Sequence, residues 1–290
     1  MLVTRRTGWI VFLGMLPALV IYIGIALIPI GMSLFYSFFN WDGLSPMRYV
    51  GLDNFITILK DMVFWTGVKN NLFMLLTGVF GQLPLGLLFA LLLNRSLRGL
   101  KLYRSMLFVP VVISTAIVSL TWGMVYRHEA GLLNSILLML GLDSWIQDWL
   151  GSPTFGMPSI SLTYIWQNYG FYMVIFLAAL QNIPEEIKEA AVMDGATGWK
   201  QFWHLTLPML KETIWVTVVF AISNSFRVFD LIFVMTAGGP AHNTDVMTIY
   251  MYNSAFQNMS FGYGSAVSIL ILLFSLIVIY AANLITRRSS

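Results

Sequence analysis

Residues 182–209 read NIPEEIKEAAVMDGATGWKQFWHLTLPM, a polar stretch that separates two strongly apolar runs. Pro184 suits the first turn of a helix, where its missing N–H costs no hydrogen bond, and the two glutamates after it favour the positive end of the helix dipole. Gly195 suits a left-handed helix terminus, and Thr197 can cap a second helix that runs to His204. The stretch therefore predicts a helix, a glycine turn and a second helix between the two apolar runs.

Small and aromatic residues divide this stretch into two halves. Ala190 and Ala191 lie in the first predicted helix, where small side chains allow another protein to approach the backbone closely. We expect Trp199, Phe202 and Trp203 in the second predicted helix to anchor it against the rest of the protein. An amphipathic hairpin without any protein partner is the alternative, and the residues alone leave both interpretations open.

The composition indicates an all-α integral membrane protein. Of the 290 residues, 58% are hydrophobic and only 10% are charged, whereas soluble domains carry about 25% charged residues. A bilayer span needs about 20 mostly apolar residues. Stretches of this kind predict six spans, at about 9–39, 67–94, 104–126, 160–181, 212–236 and 264–286.

Between the spans the sequence predicts short connections and a single transmembrane domain, 1–290. Residues 53–65 have apolar side chains at helical spacing and predict an interfacial helix on the outer side. Arg5 and Arg6 precede the first apolar run as in a signal peptide, but a clear cleavage site is missing and the run is long, so we expect a retained helix.

The distribution of basic residues predicts the orientation. With the N-terminus in the cytoplasm, 11 of the 16 Lys and Arg residues lie inside, four lie outside and Arg227 lies within a span. Cytoplasmic loops are enriched in Lys and Arg. Both termini are therefore expected in the cytoplasm. The inner residues are Arg5, Arg6, Arg95, Arg98, Lys101, Arg104, Lys188, Lys200, Lys211, Arg287 and Arg288.

The stretch between the fourth and fifth spans resembles a known motif. Glu189-Ala190-Ala191 is followed after three residues by Gly195, and after nine more by Leu205-Thr206-Leu207-Pro208. This spacing is similar to the EAA motif of the permease subunits of binding-protein-dependent ABC importers, with Leu205 where isoleucine is commoner. Segments that resemble the carbohydrate-uptake branch, the relatives of the maltose and glycerol-3-phosphate permeases, are 50–55, 131–134, 179–186, 229–240 and 249–256. Asn71 follows Asn70 where Asn-Thr is common in that branch.

The resemblance implies a type I ABC importer permease with defined partners. These are a homologous second permease, two ATP-binding-cassette ATPase subunits that bind ATP and magnesium, an extracellular or periplasmic solute-binding protein and a sugar; nucleic acid is not expected. The chain would lie in a bacterial or archaeal cytoplasmic membrane and drive solute through by alternating access. The resemblance assigns coupling to the ATPase to Glu189, Ala190, Ala191, Asp194 and Gly195.

No residue pattern indicates an enzyme. The chain has no cysteine, so it has neither a thiol nucleophile nor a zinc-thiolate site. His128, His204 and His242 are scattered without metal-ligand spacing. The segment from Gly195 to Lys200 lacks the spacing of a phosphate-binding loop. We therefore expect no catalytic residue, no metal and no cofactor in this chain, with ATP bound elsewhere.

Polar residues in the fourth and fifth spans are the candidates for the solute pathway, because polar groups facing lipid are costly. Hydrogen bonding between packed helices is the alternative role of these residues. Arg227 and Asp230 are three residues apart, so they share a helix face and can pair; snorkelling of Arg227 to the outer surface is the competing interpretation. The candidates are Tyr164, Gln167, Asn168, Tyr169, Tyr172, Ser223, Asn224, Ser225, Arg227 and Asp230.

Two other functions are alternatives to an importer. A secondary transporter should show acidic relays within the membrane or paired half-length repeats. Because the fifth predicted span starts after Glu212, Asp230 is the one acidic residue inside a predicted span. A membrane-embedded enzyme needs a convergent His, Asp or Ser constellation, and none is visible. Within the importer interpretation, a sugar-like solute such as glycerol phosphate remains an alternative to a sugar.

Overall fold

A computed structural model describes residues 5–94 and 99–287, and the side chains of 12–94 and 99–284. Arg95, Arg98 and Arg288, which the orientation argument counts as cytoplasmic, lie outside the described residues. The helices are α1 (Arg5–Tyr22), α2 (Ile28–Tyr36), α3 (Asp53–Lys60), α4 (Met62–Thr77), α5 (Leu83–Leu93), α6 (Leu100–Val112), α7 (Thr115–Val125), α8 (Leu132–Met139), α9 (Gly156–Gln181), α10 (Glu185–Met193), α11 (Trp199–Gln201), α12 (Leu207–Met209), α13 (Lys211–Arg227), α14 (Asp230–Thr236), α15 (Met247–Tyr252) and α16 (Phe261–Arg287).

Wide π turns join several of these helices into longer rods. They cover Ile23–Leu27, Gly78–Gln82, Phe202–Thr206 and Asn253–Gln257. The first three end two residues before Pro29, Pro84 and Pro208, respectively. A proline lacks the N–H of the helical ladder and crowds the preceding turn, so the backbone widens there. The remaining elements are a 3₁₀ turn (Asp143–Trp145) and the strands β1 (Phe39–Asn40) and β2 (Arg48–Tyr49).

Several described helices are suited to crossing a membrane. Phe12–Tyr36, Met62–Leu93 and Phe261–Leu284 are each long and apolar enough, and two sharply bent pairs raise the number to five if each pair counts as one span. The pairs are Leu100–Val112 with Thr115–Val125, and Trp199–Met209 with Lys211–Arg227. The 26 residues of α9 are also long enough, at about 39 Å, although polar side chains lower their hydropathy.

The third and fifth predicted spans are not continuous helices. The third is bent by 91° between α6 and α7. α6 contains Pro110 and ends at Val112, and the next residue, Ile113, is extended. The fifth is interrupted between α13 and α14, where Val228 is extended. The predicted interfacial helix also ends earlier than expected, at Lys60, because Asp61 is extended. A membrane-embedded break is stable only where other groups bind the freed backbone carbonyls.

The chain divides into two compact units. The first comprises Met1–Asp61 and Tyr250–Leu273, and the second comprises Met62–Ile249 and Phe274–Ser290. In the first unit, β1 and β2 form an antiparallel hairpin with Phe39 opposite Tyr49. The Asn54 amide donates to the carbonyls of Ser37 and Phe39, at 2.9 and 3.0 Å, and so fixes α3 to this hairpin.

The core of the second unit is built around α9. Leu83, Tyr172, Met173 and Phe176 belong to one buried apolar cluster between α5 and α9. Gly86 makes this packing close, since a Cβ there would lie 2.8 Å from Cβ of Tyr172. Small residues permit this approach of helices in membranes. α9 is consequently fixed against its neighbours and can position polar side chains accurately.

Candidate functional site

A cavity of about 240 Å³ lies beside the two helix breaks of the second unit. α7 contributes its first residue to the lining, α9 its middle, and α13 and α14 the two ends that meet at the break. Non-helical backbone at membrane depth is tolerated where it is buried in protein or lines a cavity. The lining residues are Thr115, Tyr164, Gln167, Asn168, Asn224, Arg227, Val228, Phe229, Asp230 and Leu231.

Gln167 connects α9 to the break between α6 and α7. Its side-chain Nε2 donates to Oγ1 of Thr115 at 3.1 Å and approaches the Ile113 carbonyl at 3.5 Å. The next residue is Asn168, whose amide nitrogen donates to the Tyr164 carbonyl at 3.0 Å, which leaves the amide oxygen as an acceptor. The cavity wall on α9 thus combines amides with an aromatic ring.

Arg227 and Asp230 both line the cavity but do not pair. Within the part of the chain that the structure describes, neither forms an ion pair. The expectation that they share a helix face was wrong, because α13 ends at Arg227 and α14 begins at Asp230. Each charge instead lies at the helix end whose dipole favours it. Both charged groups are exposed toward the cavity and can contact a ligand.

Six of the ten predicted pathway residues line the cavity, and four do not. The Tyr169 ring packs against Phe89, with centroids 5.3 Å apart, and Tyr172 is buried in the α5–α9 core. Ser225 is buried, and its hydroxyl donates to the Ile222 carbonyl. Ser223 lies in a neighbouring groove along α13, which shares Asn224 and Arg227 with the cavity. Tyr169, Tyr172 and Ser225 therefore have packing roles.

Sequence reasoning missed the residues that hold the break between α13 and α14 in place. The Thr248 hydroxyl donates to the freed Val228 carbonyl at 2.7 Å. The buried Asn71 donates to the Ser225 carbonyl at 2.7 Å and accepts from the Met247 N–H at 2.8 Å. The departure from Asn-Thr at Asn70-Asn71 was a signal, but its spatial partners are more than 150 positions away in sequence.

The neighbouring Asn70 fixes the loop that follows α14. Its amide donates to the carbonyls of Asn243 and Asp245, at 2.9 and 2.7 Å. In this loop, Nδ1 of His242 lies 2.5 Å from Oδ2 of Asp245. Burial raises the pKa of the Asp245 carboxyl, and the contact with His242 opposes that shift. The asparagine pair therefore joins α4 both to the helix break and to the loop beside it.

The predicted coupling residues lie on an exposed hairpin. α10 ends in a Schellman motif, in which the Gly195 N–H donates to the Val192 carbonyl and the Ala196 N–H to the Ala191 carbonyl, at 3.0 and 2.8 Å. Gly195 has a φ of +76°, which confirms the expected left-handed terminus. Glu189, Ala190, Asp194 and Gly195 are exposed, and Ala191 is half-buried.

The second helix of this hairpin differs from its prediction. It covers Trp199–Met209 and follows Gly198, so Thr197 is not its cap. Trp199 is 72% exposed and Trp203 is 49% exposed. The centroids of these two rings are 5.7 Å apart, so the rings contact each other. They do not anchor the helix against the rest of the chain as expected.

Comparisons with known proteins match nearly the whole chain to one family of transport proteins. The model of the family described as "Binding-protein-dependent transport system inner membrane component" matches residues 6–290. The probable ABC transporter permease protein YurN of Bacillus subtilis is 34% identical over 268 residues, covering 91% of each chain. The diacetylchitobiose uptake system permease protein NgcF of Streptomyces coelicolor is 32% identical, covering 98% of this chain and 83% of that protein. The trehalose/maltose transport system permease protein MalF of Thermococcus litoralis is 32% identical, covering 93% and 91%.

Solved structures have the same fold. A chain of a bacterial ABC transporter involved in the import of the acidic polysaccharide alginate superposes with a TM-score of 0.83 at 26% identity, covering 98% of this chain and 96% of that chain. The same transporter type, in complex with an alginate pentasaccharide-bound periplasmic protein, gives a TM-score of 0.85 at 25% identity with the same coverage. These likenesses confirm the expected type I importer permease fold. The chain therefore belongs to the binding-protein-dependent transport system inner membrane component family, and is a multi-pass permease, a transport component rather than an enzyme.

Proposed function

We propose that this permease forms half of the transmembrane pathway of an ATP-driven importer, and that its solute is a sugar or oligosaccharide. Relatives that are 32% identical are named for the uptake of diacetylchitobiose and of trehalose or maltose. The observation that carries the proposal is the polar cavity at two broken helices. Discontinuous helices form the substrate sites of other transporter folds, where their free backbone and helix ends face the solute.

The chemistry of the cavity suits a hydroxylated ligand. Gln167, Asn168 and Asn224 offer amide donors and acceptors, while Tyr164 and Phe229 offer ring surfaces. Ligand sites typically combine apolar and aromatic walls with a few placed polar groups. Arg227 and Asp230 add a strong donor and a strong acceptor on opposite sides of the break.

The exposed hairpin is the proposed site of coupling to the ATPase. The Glu189 carboxylate can accept a charge-assisted hydrogen bond from a basic partner, and Ala190 and Ala191 permit close approach. Asp194 and Gly195 set the turn that positions α10. ATP and magnesium are assigned to the ATPase subunits. This hairpin is assigned to the cytoplasmic side, as are both termini.

The exposed apolar surfaces support contact with a second permease. The first apolar helix, Phe12–Tyr36, is not buried within the described chain, and the groove on α13 exposes Val216 and Phe220. Large apolar patches mark contacts with protein or membrane. We assign part of this surface to a homologous second permease. The external solute-binding protein would dock at the opposite end from the hairpin.

The mechanism is a shift between two access states. ATP-driven closure of the ATPases is transmitted through α10 to the spans and favours the outward-facing state, into which the binding protein releases its solute. Hydrolysis then resets the bundle. A ligand moves such an equilibrium only through its different affinity for the two states, so the cavity at the breaks should change its shape between them.

Copurification tests this proposal. The tagged chain, expressed in its native host, is isolated in mild detergent and its partners are identified by mass spectrometry. We expect a second permease, an ATPase and a solute-binding protein, and we expect the last to bind labelled oligosaccharides. If the chain is isolated without any partner, or only as a homo-oligomer, from a host that supports transport, the importer assignment is contradicted and a gradient-driven transporter is favoured.

A further inference from the structure

Two parallel stripes of exposed side chains run along the second hairpin helix, Trp199–Met209. Trp199 and Trp203 are four residues apart and form an aromatic stripe, with Phe202 stacked on Trp199 at 5.4 Å. Lys200 and His204 form a basic stripe beside it, and both are exposed. Residues four apart lie on one helix face. The exposed surface of this helix is therefore aromatic on one side and basic on the other.

The direction of this helix is set by its junction with α13. Trp199–Met209 meets Lys211–Arg227 at an angle of 67°. The residue between them, Leu210, is buried in the same apolar cluster as Leu83 and Tyr172. α13 is the first helical part of the predicted fifth span, and helices that cross a membrane are tilted by about 20° from its normal on average. A helix inclined this steeply to α13, and joined directly to its end, runs closer to the membrane plane than to the membrane normal.

The charges of the two hairpin helices differ in sign. α10 carries Glu185, Glu186 and Glu189 with one lysine, and Asp194 follows it. An anionic lipid surface repels such a helix, whereas it attracts Lys200. Tryptophans are enriched where the hydrocarbon meets the headgroups, and basic aromatic helices lie in that layer.

We infer that Trp199–Met209 is a membrane-surface anchor, with Trp199 and Trp203 inserted at the boundary between headgroups and acyl chains and Lys200 near the lipid phosphates. This goes beyond the coupling proposed for α10, because it assigns the other half of the hairpin to lipid. An anchored second helix prevents the hairpin from tilting freely, so that movement of α10 is transmitted to α13. This assignment of the second hairpin helix to the lipid surface does not depend on which solute is carried.

Spin labelling tests this inference directly, because the chain contains no cysteine. Trp203→Cys is labelled with a nitroxide in the full chain, copurified with its partners and reconstituted into vesicles of phosphatidylcholine and phosphatidylglycerol. Met193→Cys serves as the control, since Met193 is 88% exposed at the end of the acidic α10. Because the ATPase is proposed to dock on α10, both labels are also measured after the ATPase subunits have been removed. Collisions with oxygen report lipid, and collisions with a water-soluble nickel chelate report water.

We expect the ratio of oxygen to nickel accessibility to be clearly higher at 203 than at 193. Trp199→Cys gives a second measurement on the same stripe, in case one substitution disturbs folding. Lys200→Gln should reduce the ratio at 203 in vesicles that contain phosphatidylglycerol and leave it unchanged in pure phosphatidylcholine. A nickel-accessible label at both 199 and 203 overturns the inference. Labels shielded from both reagents also overturn it, because a protein such as the ATPase then covers the stripe.

Discussion

Arg227 is the residue whose role the structure changes most. It ends α13 beside the cavity, and it lacks an ion-pair partner among the described residues. Hydrogen bonds that involve a charged group contribute about 1.5–3 kcal/mol, which corresponds to roughly ten- to a hundredfold in affinity. Arg227→Met should therefore raise the KM for transport by about that factor.

The matched control is Arg48→Met, which removes an exposed arginine from β2. Uptake of labelled solute by cells that express each variant gives both values of KM. An unchanged KM in the Arg227→Met variant would remove this residue from the site and favour snorkelling to the membrane surface.

Gly195 permits a test of the turn without a change in packing. Its φ is +76°, and no atom of the described chain lies within 4 Å of where its Cβ would be. Asn tolerates the left-handed region, whereas a β-branched residue does not. We expect Gly195→Val to lose solute-stimulated ATP hydrolysis by the reconstituted transporter and Gly195→Asn to retain most of it, with similar melting temperatures. Equal activity of the two variants would show that the turn does not serve coupling.

At the scale of elements, the break between α13 and α14 depends on α4. Asn71 binds the Ser225 carbonyl and the Met247 N–H, so Asn71→Ala leaves two buried backbone groups unsatisfied. Each such group costs about 1–3 kcal/mol. The melting temperature of the purified protein in detergent should fall clearly. Thr77→Ala is the control, because its exposed hydroxyl binds a carbonyl of its own helix; a drop as large as that of Asn71→Ala would argue against the special role of Asn71.

At the scale of the whole molecule, the uncovered first helix predicts dependence on partners. Phe12–Tyr36 is apolar but not buried within the described chain. A partner that binds only the folded state raises its apparent stability by mass action. Coexpression with the second permease should therefore raise both the yield and the melting temperature of this chain. A chain that is as stable alone as in the complex would indicate that lipid suffices to cover this surface.

The sequence by itself determined the membrane class, the approximate positions of the apolar helices and the exposed hairpin with its left-handed Gly195. These features follow from composition and from spacing within a few residues, so a local pattern is sufficient. The same local reasoning identified six of the lining residues of the cavity, because polar side chains in an apolar run are conspicuous.

Only the tertiary structure decided where the spans are interrupted and what the charged residues do there. The break at Val228 is stable because Thr248 and Asn71, on other helices, donate hydrogen bonds to the carbonyls of Val228 and Ser225. At the other break, the Gln167 amide approaches the Ile113 carbonyl. The separation of Arg227 from Asp230 and the burial of Tyr172 and Ser225 follow from that packing. A hydrogen bond between residues far apart in sequence leaves no periodic signal, so its effect on the helices appears only once the chain is folded.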